Sequence, residues 1–486
     1  MKKVIVDFES KILSEVDLNI ALDLARQYGN LLWFADIGIY DAPSIEQSLI
    51  DRAVLYFKNH NFEFVGHDSS YVHIISEPLL IGGHTRLMEK LASMHDGPVD
   101  LIISRGSSKR AEERVSRFFL KTYKVLSIRP LDIVGELVAA LSLYRKIVLH
   151  IHPDDILAVV ACGVIKNISG AEVFFVNHAD HVFSYGTYVA DYYFELSSYG
   201  KRLDSKKLIA GKKSFLGIPV SMNMVGDDLD FMPDRAQPLV FISAGADIKY
   251  KPLKGVNILK LISRVLDVYS SSIFLVIGSN IKTSFWFWGL KFKYRSRFRV
   301  QSHLEFEEYS KIVASSDFYV DSHPIPGGTA FAEQYLSARR CVGLVSPIQG
   351  YSPADRLKRN TVDEVMVSIS NYRHSESTLE AIITVNGIEN VKKRYLACVS
   401  RGEVCENLLD TYTIWTGDTT FFAAETAPAN VDISLSNFFS IYKRDKVIAF
   451  RLFCTLSFRR KMKMMVKMAV FVLTAKKRVV RSGKNG

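Results

Sequence analysis

Two patterns of apolar positions alternate along most of the chain. Apolar runs, most of them rich in Val and Ile, occur at residues 4–8, 31–37, 72–76, 99–104, 146–152 and 172–176. They show little in–out alternation, as strands of a covered parallel sheet do. Between them, apolar residues recur at helical spacing over 19–27, 85–94, 131–143 and 153–166, the last with Pro153 at a helix start. Residues 45–70 carry little pattern of either kind. This alternation predicts an α/β fold. A basic stretch, 203–219, ends in Leu216-Gly-Ile-Pro219, and an acidic one, 225–238, holds Pro233 and Pro238. Together they mark a linker between domains. The pattern then resumes, with a strand from Leu239, a helix over 255–269, a strand over 273–278 and a helix over 306–315. It predicts a second doubly wound sheet. The expected division is 1–225, a linker 226–238, 239–400, helices and irregular segments over 401–440, and a tail over 441–486.

Residues 317–345 carry the clearest chemistry. They read as the strand Asp317-Phe-Tyr-Val-Asp321, the turn Ser322-His-Pro-Ile-Pro-Gly-Gly328, a helix from Thr329, and the strand Cys341-Val-Gly-Leu-Val345. Pro324 and Pro326 hold the turn extended, and Gly327 and Gly328 let the backbone approach a ligand. Thr329 falls at the N-cap or in the first turn. Free amide groups and the positive end of the helix dipole make an anion site there. Glu333, one turn further in, can face the same ligand. A diphosphate at the turn with a ribose hydroxyl at Glu333 would be a nucleotide-sugar site; the plain alternative is a tight strand-to-helix turn. No Gly-Lys-Ser/Thr follows and no GxGxxG is present, so neither common phosphate-binding motif applies.

Three further segments look chemical. In Leu80-Ile-Gly-Gly-His-Thr-Arg-Leu87, the residues Gly82, Gly83, His84 and Arg86 are candidates to approach phosphate or sugar, against the plain reading of a helix start. In Phe174-Phe-Val-Asn-His-Ala-Asp-His-Val-Phe183, a buried strand ends and delivers Asn177, His178, Asp180 and His181. Polar residues at the carboxyl end of a parallel strand sit where α/β sheets bind ligands. A zinc site is the rival, but the spacing fits no usual helical or finger ligand set. At the start of the second domain a strand ends in Ser243, Gly245 and Asp247, and Lys249 and Lys251 follow. Residues 351–357 are expected to close over the base or ribose.

These segments resemble GT-B glycosyltransferases, in particular the bacterial enzymes of surface-polysaccharide assembly that are similar to glycosyltransferase families 1 and 4. The resemblance covers most of residues 70–345. It implies two Rossmann-like domains facing a cleft, acceptor on the N-terminal side and nucleotide-sugar donor on the C-terminal side. It implies donor binding by His323, Gly327, Gly328, Thr329 and Glu333, with Lys249 and Lys251 at the phosphates. It also implies a cleft loop formed by Gly82, Gly83, His84 and Arg86. Many retaining members carry a Glu seven residues before the ribose Glu; here that position is Pro326, which leaves the stereochemical outcome open. If transfer inverts, a base must take the acceptor proton. The candidates are His178 and His181, with Asp180 orienting one imidazole, more readily His178 through a turn than the adjacent His181, and with His84 in reserve.

Charge changes the picture at one end only. The net charge is +11, but residues 441–486 hold 14 Lys or Arg against Asp445 alone, so the remaining 440 residues sum to −2. A near-neutral body argues against nucleic-acid binding. In the tail, Met462, Met465, Val466, Ala469, Val470 and Leu473 share one helical face, and Arg459, Lys463 and Lys467 share another. Such a helix suits an anionic membrane surface, or else an acidic face of the protein itself. The tail is thus expected to set location and not chemistry. Five scattered cysteines suggest a reducing compartment. The N-terminal apolar run is too short for a signal peptide, and no stretch of about 18 apolar residues exists to span a bilayer.

The expectation is therefore a cytoplasmic, peripherally membrane-associated glycosyltransferase. It would act on a carbohydrate or lipid-linked glycan acceptor and need no metal or other cofactor. A nucleotide-sugar epimerase of the same fold and a non-catalytic membrane-bound scaffold are the alternatives.

Overall fold

A computed structural model describes the chain except for residues 61–68, 81, 222–229, 235, 303, 413–418, 420–429, 432, 459 and 469–486. The expected linker, 226–238, thus lies partly outside the described residues. Two compact units are present. The first comprises Met1–Tyr193, Asp204–Lys212 and Phe422–Gly486, and the second Phe194–Leu203 and Lys213–Phe421.

The seven-stranded sheet runs Thr122–Lys124, Asp100–Ile103, Ser69–Ile75, Tyr144–His150 and Glu172–Val176, all in the first unit, then Tyr192–Glu195 and Lys212–Phe215, each of which begins there. The first five strands are mutually parallel. In chain order this is 3-2-1-4-5-6-7, so the winding reverses between Ser69–Ile75 and Tyr144–His150. The second unit repeats the plan. Its strands run Phe298–Gln301, Ile273–Ile277, Val240–Ala244, Phe318–Val320, Arg340–Leu344 and Lys358–Arg359, all parallel. That is 3-2-1-4-5-6, with the reversal between Val240–Ala244 and Phe318–Val320. Ligands of doubly wound sheets bind outside the carboxyl ends of the strands at such a reversal. The two-sheet α/β class expected from the alternation is the one observed.

One expected strand is helical and another is partly so. Residues 4–8 belong to the helix Lys2–Ser14, and residues 31–33 end the helix Leu18–Trp33, while Ala35–Asp36 is a short strand. The β-branched composition of 4–8 suggested a strand, but Val4, Ile5, Phe8 and Ile12 are buried while Val6 is exposed, which is helical periodicity. Residues 45–59, which carried little pattern, lie in the helix Pro43–Asn59.

The tail also differs from a detachable appendage. Helices Leu435–Arg444 and Lys446–Thr455 place Phe438, Ile441, Ile448, Ala449, Leu452 and Leu456 in the core of the first unit. Arg444 pairs with Asp23 and Arg451 with Asp7. Residues 460–468 are helical; Met464 and Met468 pack on that core while Met462, Met465 and Val466 are exposed. Arg459, Ala469, Val470 and Leu473 lie outside the described residues or side chains. Among the described residues no helix is long and apolar enough to cross a membrane.

Candidate active site

In the second unit, the strand Phe318–Val320 delivers Asp321, which is 2% exposed. Its Oδ1 accepts the amides of Ser322 (2.8 Å) and Gly327 (2.7 Å), which folds the turn back on the strand end. Its Oδ2 lies 2.7 Å from Nζ of Lys358, whose ammonium also meets Asp355 Oδ1 at 2.6 Å. Burial disfavours the Lys358 charge, but the Asp321 and Asp355 carboxylates outweigh it and hold its pKa above the usual lysine value. The other Asp355 oxygen accepts the amide of Gly350. One buried lysine thus ties the Gly-rich turn to the loop after the next strand.

Gly327 is required by this packing, since a Cβ there would lie 2.6 Å from Asp321 Oδ1. Gly328 has φ +50°, a conformation that L side chains rarely adopt, and it is the N-cap of the helix Thr329–Leu336. No side chain caps that helix, so its first-turn amides present a positive dipole end to a ligand. Thr329 is the first helical residue, and Glu333 follows one turn later on the same face, half-buried.

Across the reversal point, Lys249 donates from Nζ to Pro326 O at 3.1 Å, and its own carbonyl accepts the Ile325 amide. Burial lowers its pKa, Asp321 opposes that, and Lys358 adds to it. Lys251, by contrast, is exposed on the following loop. Asp247 is occupied in binding its neighbours, accepting the Asn280 amide and the hydroxyls of Thr283 and Ser284. His323 is 4% exposed, and its Nδ1 has no hydrogen-bond partner among the described residues. Burial, with the Lys358 charge adding, pushes its pKa down to about 4. It is a neutral imidazole with hydrogen-bonding capacity to spare.

In the first unit, the two singled-out segments meet. The rings of His84 and His178 are in edge contact, with centroids 5.9 Å apart. His84 lies in the first turn of the helix Gly83–Ala92 and holds the Glu77 carbonyl through Nε2 at 3.2 Å. Gly82 is extended, and a Cβ there would lie 3.3 Å from His84 Nδ1, whereas a Cβ on Gly83 would meet nothing, so Gly83 is not demanded by local sterics. Arg86 is exposed. Asn177 organises the strand end, donating to the Tyr193 hydroxyl and accepting the Ala179 amide, each at 3.0 Å. Asp180 stands beside His181, with Oδ1 3.6 Å from Nδ1. The same carboxylate also favours the proton on His178, against burial. The buried ammonium of Lys207 donates to the Asp180 carbonyl at 3.0 Å and holds this loop from below.

His178 has different company. Its Nε2 lies 2.9 Å from His150 Nδ1; His150 Nε2 lies 3.0 Å from His73 Nδ1; His73 Nε2 lies 3.3 Å from His95 Nε2. Four imidazoles form one hydrogen-bonded row on a sheet face. Burial pushes His178 down to about 3 and His95 to about 4, and holds His73 and His150 well below the usual range. All four are neutral near pH 7.

Two site features escaped the sequence reading. One is Lys358 with Asp321. The other is a cluster at the winding reversal of the first sheet. There, Arg105 Nη1 meets Asp154 Oδ1 at 2.7 Å, and His152 Nδ1 meets the same oxygen at 2.6 Å. Asn30 donates to Asp154 Oδ2 at 2.8 Å, and Ser76 and Ser104 both donate to Asp155. Burial opposes ionisation of Asp154, but His152 and Arg105 outweigh it and hold the carboxyl below its usual range. These are polar residues at strand ends, the same signal that singled out 177–181. Among the described residues, no group of three or more His, Cys, Asp or Glu is arranged to hold a metal ion.

No family model matches the chain, and no curated protein matches it. Solved structures do resemble it. The lipopolysaccharide outer core galactosyltransferase WaaB, in its apo form, is 15% identical over 68% of this chain and 98% of its own, with a TM-score of 0.48. Anabaena HepE in complex with UDP and glucose is 10% identical over 68% of this chain and 99% of its own, at 0.49. A putative UDP-N-acetylglucosamine 2-epimerase from Listeria monocytogenes is 10% identical over 69% and 97%, at 0.44.

Proposed function

We propose that the protein is a glycosyltransferase that moves a sugar from a nucleotide-sugar donor to a carbohydrate or lipid-linked glycan, in the synthesis of bacterial cell-surface polysaccharide. The observation that carries this reading is the uncapped helix start at Thr329, placed at a winding reversal with Gly327 pinned by Asp321 and with Lys249 across from it. The donor diphosphate is assigned to the first-turn amides, with Lys249 offsetting charge on the leaving nucleotide. Glu333 is assigned to the ribose hydroxyls, and His323 to a donor hydroxyl or phosphate oxygen. Because helix dipole and lysine supply positive charge, no metal or other cofactor is invoked.

Acceptor activation is assigned to the first unit. His178 takes the acceptor proton at Nδ1, which makes no hydrogen bond to the described residues. Burial prevents that proton from staying, and the row through His150 and His73 to His95 offers it a path, because each neutral ring has one N–H and one acceptor nitrogen. His181 with Asp180 is the alternative base. The exposed Met462, Met465 and Val466, with Lys463 and Lys467, are assigned to an anionic membrane at the cytoplasmic face.

The test is incubation with a panel of nucleotide sugars and detection of released nucleotide. Release that depends on a glycan acceptor is expected. Donor isomerisation without release would make the protein an epimerase, and neither would leave a scaffold. Thr329→Ala and Glu333→Ala should each weaken donor binding by about 1–3 kcal/mol; calorimetry showing unchanged affinity in both folded variants removes the donor-site assignment.

A further inference from the structure

The second unit carries an apolar surface that the transfer chemistry does not use. The run Phe285–Phe287 continues into the helix Trp288–Tyr294. Phe287, Leu290 and Tyr294 face inward and are buried, which turns the opposite face outward. That face presents Phe285 (63% exposed), Trp288 (57%) and Phe292 (89%), spaced three and four residues apart. Three large aromatics on one outward face are costly in water. Between residues 268 and 304 the chain has no acidic residue and six basic ones, Lys282, Lys291, Lys293, Arg295, Arg297 and Arg299.

Beside the helix runs an apolar groove of about 560 Å³, lined by Leu275, Ile281, Val300 and Ile312, with Lys291 and Arg299 also on its wall. Aromatic rings suited to the headgroup level, cations suited to phosphate, and an apolar groove next to both describe one kind of surface. A protein partner would need acidic side chains and an apolar ridge together; an anionic bilayer supplies both from one molecule. We propose that Phe285, Trp288 and Phe292 insert into an anionic phospholipid membrane, with an acyl chain seated in the adjoining groove and the basic residues meeting headgroup phosphates. This contact is separate from the C-terminal residues and does not depend on the transferase reading.

The test uses the full chain with vesicles of phosphatidylcholine alone and of phosphatidylcholine with phosphatidylglycerol. Sedimentation with the anionic vesicles is expected, together with quenching of tryptophan fluorescence by brominated lipid that disappears in Trp288→Phe. The double variant Phe285→Ser/Phe292→Ser, altered only at exposed positions, should lower the vesicle partition coefficient by roughly tenfold or more. Soluble inorganic phosphate should not reproduce the fluorescence change. Absence of sedimentation, or quenching that persists in Trp288→Phe, overturns the proposal. So does unchanged partitioning of the double variant alongside its loss on deletion of residues 469–486, which would place the contact at the C-terminus alone.

Discussion

Lys358 Nζ lies 2.7 Å from Asp321 Oδ2, and both side chains are almost wholly buried. The pair is possible because the parallel strands align Val320 with Val342 and Gly343 with Lys358. Breaking one partner of such a pair leaves a buried charge without compensation. Lys358→Met should therefore cost about 3–5 kcal/mol of unfolding free energy. Urea denaturation measures it, and a loss under about 1 kcal/mol would mean that Asp321 finds another partner.

Gly327 tests the turn without touching a charge. A methyl group there meets Asp321 Oδ1 at 2.6 Å, so Gly327→Ala must displace the carboxylate or the turn, at about 1–3 kcal/mol. Donor affinity should fall with it, since the amide that moves precedes the helix start. Gly83→Ala is the control: the added Cβ meets nothing, and thermal stability should hold.

The histidine row sets the acid limit of stability. The fully buried His73 and His150 have folded pKa values depressed by burial, while an unfolded histidine titrates near 6.5. Below about pH 6.5 the unfolded chain binds protons that the folded one refuses, so stability is complete above that pH and lost as pH falls. Each such ring contributes a slope of up to about 1.4 kcal/mol per pH unit. Glu46, pushed up to about 8 by burial, works in the opposite sense: it is protonated when folded, and its contribution falls as pH rises from its unfolded value toward 8. Urea midpoints between pH 7.5 and 5 should fall steeply in the native protein and less steeply in His73→Gln. Equal slopes would show that the row is not neutral.

The same row carries a kinetic expectation. His178→Ala should lower turnover by about 100-fold or more, with donor affinity nearly unchanged. His73→Gln, which can hydrogen-bond but not relay a proton, should lower kcat by roughly tenfold and leave KM for the donor unchanged. Normal kcat in His73→Gln with a lost one in His178→Ala removes the path and keeps the base. Normal kcat in both removes the base, and retention of the donor's anomeric configuration excludes single displacement.

Truncation separates core from appendage. Deleting residues 441–486 removes Ile441, Ile448, Leu452, Leu456 and Met464 from the first unit's core. At about 2–5 kcal/mol for each large buried side chain, that unit should not stay folded. Deleting only 469–486, which removes five basic residues, should weaken binding to anionic vesicles. A stable product from the longer deletion, by circular dichroism and thermal melting, would contradict the packing of these helices.

Most of the fold was legible because element type is a local property. The Val/Ile runs at 72–76, 99–104, 146–152 and 172–176 and the helices between them are patterns of neighbouring residues, and the structure keeps them. Local pattern failed at 4–8, where strand-forming composition and helical spacing compete and burial against the unit's own core decides. The helix start at Thr329 and the strand end at Asn177–His181 were also legible, since each is a contiguous motif at an element boundary. What the sequence could not supply were pairings between distant segments. Lys358 reads as an ordinary surface lysine until a parallel neighbour brings Asp321 beneath it. His73 and His150 read as strand interior until the register of two strands and the start of a third loop line up their rings with His178. Such partners are selected by strand order, and a buried charge or imidazole gains its chemistry from whatever the sheet places within about 3 Å of it.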